Sequence, residues 1–149
     1  MAHPNGSPPA HGRLLAADVG ELAGVSGTTI GQWARRGYIR SSGSDAEPRV
    51  YSVEDAAEAA VVGELLERGV AHADVRRAIE RLRGEYGARP LSEAPLGTAA
   101  ARGRTRIVLR ERDGLYALSD RGWQRMTAAP EVEELRLRFN PLRAGRVDD

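Results

Sequence analysis

Three arginines, Arg35, Arg36 and Arg40, crowd one short stretch, and no acidic residue lies between Gly24 and Arg40. Guanidinium groups make forked hydrogen bonds to phosphate oxygens, and the counterions released make such contacts favourable and salt-sensitive. Arg49 stands one loop further on, with Tyr51 two residues beyond it. The Tyr51 ring could anchor the loop while its hydroxyl reaches a phosphate, or it could serve packing alone. Just upstream, Thr28, Thr29 and Gln32 have a different capacity, since hydroxyls and a carboxamide can read base edges. Each group also has a plainer reading. Arginines at a helix end complement the macrodipole, and hydroxyls and amides populate any solvated helix face.

Two short helices joined by a tight turn would hold these side chains. The spacing predicts a first helix from about Ala16 to Ala23 with Val19 and Leu22 on its buried face, and Gly20 small enough for a second helix to approach. Gly24 makes the turn, Val25 plugs it, and Ser26 caps the second helix by accepting a backbone N–H. That helix should run from Gly27 to Arg36 and stop at Gly37. It turns Ile30 and Trp33 inward and leaves Thr28, Gly31, Gln32 and Arg35 on the open face. Trp33 could instead stack on a ligand, but a packed indole is the simpler role. This is the spacing of a helix-turn-helix, whose second helix enters a DNA major groove. Beyond it, extended runs at Tyr38–Arg40 and Pro48–Tyr51 around the loop Ser41–Glu47 would form a wing. Ser52-Val-Glu-Asp55 reads as a capping box. It opens a helix to Arg68 that ends at Gly69, and another helix follows from about Ala73 to Arg83.

From Leu14 to about Arg83 the chain resembles the MerR-type winged helix-turn-helix proteins. The resemblance rests on the helix pair, the Arg-Gly-Tyr-Ile exit, the Arg-Val-Tyr-Ser-Val-Glu-Asp entry and Leu65-Leu-Glu-Arg-Gly-Val-Ala-His-Ala-Asp-Val75. It implies a mainly α (α+β) fold and a sequence-specific regulator bound to double-stranded DNA. Thr28, Thr29, Gln32, Arg35, Arg36, Arg40, Arg49 and Tyr51 would make the contacts. The chain departs from the pattern at Thr28 and Gly31, where the resembling proteins often carry Arg. Gly31 also costs a helix about 1 kcal/mol relative to Ala.

Composition narrows the alternatives. With 149 residues and a formal net charge of +1, the chain suits one domain, or a small domain with an appended module. The absence of cysteine excludes disulfides, a catalytic thiol and thiolate metal sensing. No apolar run approaches the roughly 20 residues that span a bilayer, and residues 1–12 read as a disordered tail of a cytoplasmic protein. His3, His11 and His72 share no motif, and no phosphate loop, metal set or nucleophile triad is present. No catalytic residue, cofactor or metal is expected.

The pattern changes after the helices. Residues 13–88 would form the DNA-binding domain, 89–104 a linker, 105–139 a β-containing interaction module and 140–149 a mobile tail. Thr105–Arg110 and Leu115–Leu118 flank Arg112-Asp-Gly114, a hairpin signal. Ile107, Leu109, Leu115 and Ala117 would face one side, and Arg106, Val108, Arg110 and Tyr116 the other. Glu131–Phe139 fits a helix or a strand. This part resembles the C-terminal region of MerR-like antitoxins of the VapB type, through Pro90-Leu91, the hairpin and Gly122-Trp-Gln124. The resemblance makes a toxin protein a candidate partner beside a homodimer. An autorepressing antitoxin, an excisionase-like architectural protein and an adaptor without DNA affinity are the alternatives to a regulator.

Overall fold

The computed structural model describes residues 12–85, 90–101, 103–127 and 131–135. They hold four α-helices and a five-stranded antiparallel sheet, an α+β arrangement. The chain divides between Ala59 and Ala60 into two compact units. The expected boundary lay after residue 88. Among the described residues, no helix is long and apolar enough to cross a membrane. Of the expected tails, 1–12 and 140–149, residues 1–11 and 140–149 lie outside the described residues.

In the first unit, α1 (Ala16–Ala23) and α2 (Gly27–Arg35) are joined at Gly24, whose φ of 77° is left-handed. The Val25 N–H closes the turn on the Gly20 carbonyl at 2.9 Å. A Cβ at Gly20 would stand 2.5 Å from the Val25 carbonyl oxygen, so this approach requires glycine. Ser26 caps α2 by accepting the Thr29 N–H at 3.1 Å. At the other end, Gly37 donates to Ala34 and Tyr38 to Trp33, the paired bonds of a Schellman cap. The helix therefore ends one residue earlier than expected, with Arg36 as its cap. Leu22 is a correction: it was expected to be buried but is 50% exposed. The inward stripe of α1 is Ala16, Val19, Gly20 and Ala23, and Leu22 lies about 110° from its centre at 100° per residue.

The stretch expected as a wing is a loop closed by one bridge, Ser44 with Val50, while Tyr51 bridges to Leu14. The ladder stops on both sides for local reasons. Toward the loop tip, Pro48 lies two residues before Val50 and has no N–H to donate. Inward, Gly43 and Ser44 both donate to the Val50 carbonyl, and Asp55 Oδ2 accepts the N–H groups of Ser42 and Ser52, at 2.7 and 2.9 Å. Asp55 thus completes the capping box of α3 (Val53–Glu67), its own N–H donating to Ser52 Oγ at 3.0 Å.

In the second unit, α4 (His72–Glu85) precedes a 3-10 turn at Leu91–Glu93 and strands β1 (Leu96–Ala101), β2 (Arg104–Glu111), β3 (Gly114–Ser119), β4 (Gly122–Arg125) and β5 (Glu133–Glu134). The sheet order is β4-β3-β2-β1-β5. Part of the stretch expected as a linker is therefore a strand hydrogen-bonded on both sides. The expected face assignment is also corrected. Val108 pairs with Ala117 and Leu109 with Tyr116, so Leu115 and Ala117 share a face with Arg106, Val108 and Arg110. The turn is the two residues Arg112-Asp113, with Gly114 already paired to Glu111. Moving the register by one residue sends every β3 side chain to the opposite face. Ile107, Val108 and Leu109 are all buried, so β2 is covered on both faces. From residues 131–139, Glu133 and Glu134 form β5; residues 136–139 lie outside the described residues.

Candidate nucleic-acid interface

The open face of α2 exposes Thr28, Gln32 and Arg35, and Arg36 and Arg40 are exposed beyond it. Ile30 and Trp33 are buried on the opposite side. Thr29 differs from its expected place. Its hydroxyl lies 3.0 Å from Ser26 Oγ, and the side chain is half-buried in the cap of the helix. Gly31 acquires a positional meaning. A Cβ built there would stand 3.5 Å from Arg35 Nη1, so the Arg35 side chain lies back along the helix toward its N-terminus. A small side chain at position 31 would lie in ordinary contact with the guanidinium of Arg35.

Arg49 is half-enclosed, with 22% of its side chain exposed, and its Nη1 donates to Ser41 Oγ at a long 3.4 Å. Its Nε is buried without a hydrogen bond and lies 4.0 Å from Glu47 Oε1. Tyr51 is fully buried, and its hydroxyl has no hydrogen-bond partner among the described residues. Burial pushes the phenol above its ordinary value; Arg49 and Arg35 oppose the rise, and Glu47 and Asp55 add to it. The fields of Arg35, from α2, and Arg49, from the loop, both reach this buried phenol.

Asp55 has a second role beyond its helix cap. Besides capping α3, its Oδ1 accepts the Ser42 hydroxyl at 2.7 Å. The carboxylate thereby ties the loop carrying Ser41 and Arg49 to the start of a helix. The Ser-x-x-Asp spacing signals the cap, but nothing near Ser42 signals the loop anchor thirteen residues away.

Residues 16–82 match the family model described as MerR HTH family regulatory protein. This segment is a MerR-like helix-turn-helix. Comparison with curated proteins and with solved structures returned no match. Within the MerR-like segment, the matched residues take in the helix pair, the bridged loop, α3 and most of α4.

The two roles considered for Tyr51 make opposite predictions. Its raised value in the folded state favours the neutral phenol. Its contribution to stability is therefore fully present below about pH 10 and is lost as pH rises through the folded value. Tyr51→Phe should hold neutral-pH stability to within about 1 kcal/mol, because the buried hydroxyl has no bond to lose. It should also reduce the alkaline loss and leave DNA affinity unchanged. Urea melts at neutral and alkaline pH and fluorescence anisotropy with DNA test this. A drop in affinity without a drop in stability would assign the hydroxyl to a phosphate.

Proposed function

We propose that the chain is a sequence-specific DNA-binding transcriptional regulator of MerR-like type, working in the cytoplasm. The observation that carries this reading is the face of α2. Thr28, Gln32 and Arg35 project from a helix whose other side, Ile30 and Trp33, is packed. Gln32 and Thr28 read base edges in the major groove. Arg35, Arg36 and Arg40 bind the flanking phosphates. The loop held by Asp55 plays the part of the wing and brings Arg49 to the adjacent backbone. Thr29 contributes by fixing the helix start, where backbone N–H groups face the DNA. With a glycine at position 31, each copy makes few base contacts, so binding as a homodimer would supply the affinity one copy lacks.

Arg35→Ala should weaken operator binding and reduce the slope of log affinity against log salt by roughly one unit. Arg49→Ala should do the same, with some loss of stability from its half-enclosed stem. Gln32→Ala should instead relax sequence preference, by about 1–3 kcal/mol for a bidentate contact. Footprinting on the upstream DNA of its own gene supplies the operator, and anisotropy across a salt series measures each effect. If the wild-type protein shows no salt-sensitive DNA binding at low ionic strength, the adaptor reading replaces this one.

A further inference from the structure

We propose that the second unit carries a binding site for a small oxyanion, a phosphate group above all, between α4 and the start of β2. Asp74, in the first turn of α4, has a side chain only 9% exposed. Its Oδ1 accepts from Arg77 Nη1 at 2.6 Å and its Oδ2 from Arg104 Nη2 at 2.9 Å. One buried carboxylate thereby sets two guanidiniums side by side, one from the helix and one from the first residue of β2. Arg106 follows on the same face of β2. The three arginines line a pocket of about 170 Å³ together with Leu118, Ser119 and Asp120. The last β2–β3 pair is Val108 with Ala117, and the pocket opens where that pairing ends.

The charge and the donors define the occupant. Three guanidiniums against the carboxylates of Asp74 and Asp120 leave an excess of positive charge. A guanidinium offers five N–H groups in a fork that matches phosphate and carboxylate. Asp74 takes one from Arg77 and one from Arg104, and among the described residues no other acceptor is bonded to either guanidinium, which leaves N–H groups for a ligand. Gathering like charges is unfavourable, and an incoming dianion relieves the repulsion. The Ser119 hydroxyl is already committed, donating to the Gly122 carbonyl at 2.9 Å and accepting the Arg121 N–H at 3.2 Å. Recognition therefore falls to the arginines. The volume is below the roughly 300 Å³ at which pockets for drug-sized ligands begin, which limits the occupant to phosphate or a small phosphomonoester. Asp120 repels a second anionic group and can accept from a hydroxyl or ammonium on the ligand. The site is independent of the DNA-binding reading.

Titrating the full-length protein with sodium phosphate, against sodium chloride at equal ionic strength, tests the site. Calorimetry should show saturable phosphate uptake, and the loaded protein should melt at a higher temperature. Arg106→Gln should weaken uptake by roughly tenfold or more with melting in chloride unchanged. Asp120→Asn should tighten it. Arg112→Gln, in the β2–β3 turn and away from the pocket, should bind as wild type does. Non-saturating uptake, or equal affinity in wild type and Arg106→Gln, overturns the site. If Arg106→Gln also melts lower in chloride, Asp120→Asn decides, and unchanged affinity there overturns the proposal. A DNA duplex that competes with phosphate, with a salt slope lowered by Arg106→Gln, would assign these arginines to a nucleic-acid surface and equally overturn it.

Discussion

Replacing Arg68 with alanine should lower stability by about 3–5 kcal/mol, because it strips the guanidinium from a buried carboxylate. Arg68 and Glu64 lie one turn apart at the end of α3, with side chains only 11% and 2% exposed, and Nη2 reaches Glu64 Oε2 at 2.7 Å. The same guanidinium donates to Thr98 Oγ1 on β1 and to the carbonyls of Glu133 and Glu134, at 2.9, 2.7 and 2.6 Å. It thus holds β5, a strand of only two residues, at the sheet edge. For a chain of this size the melting temperature should fall by on the order of 10 °C. Arg68→Met with Glu64→Leu should recover most of the loss, since replacing both members of a buried pair with apolar groups is often neutral. Urea denaturation of the two variants checks this, and a loss below about 1 kcal/mol in Arg68→Ala would mean that the bonds are dispensable.

Trp33→Ala should cost a similar amount, about 3–5 kcal/mol, as truncation of a packed aromatic does. The residue is 3% exposed, and Val19, Ile30, Tyr38 and Ile39 of the same unit are buried as well. Its carbonyl also accepts the Tyr38 N–H in the cap of α2. The backbone bond survives the substitution, so the loss measures packing alone. The variant should melt well below wild type. At low temperature, where it is folded, it should keep the salt slope of DNA binding, because Thr28, Gln32 and Arg35 lie on the opposite face. Unchanged stability with lost binding would move Trp33 from the core to the site.

Much of the first unit was determined within a few residues of itself. The spacing predicts α1 at Ala16–Ala23, and the helix forms there. Ser26, Ser52 and Asp55 act at the caps their types and spacing announce. Such features depend on contacts between residues three or four apart, so any window of sequence contains both partners. Tertiary structure decided the rest, because the partners lie far apart along the chain. Leu96–Ala101 is made of leucine, glycine, threonine and alanine, a weak strand former by composition. Pairing with β2 on one side and β5 on the other overrides that preference. The face of β3 turned on a one-residue difference in the turn, which side-chain alternation cannot fix because it is unchanged by a simultaneous flip of the whole strand. Besides Glu64, one turn away, the partners of Arg68 are 30, 65 and 66 residues on, and those of Asp74 include one 30 residues on. Polar groups at such separations carry no common period, so only the path of the chain brings them to one another.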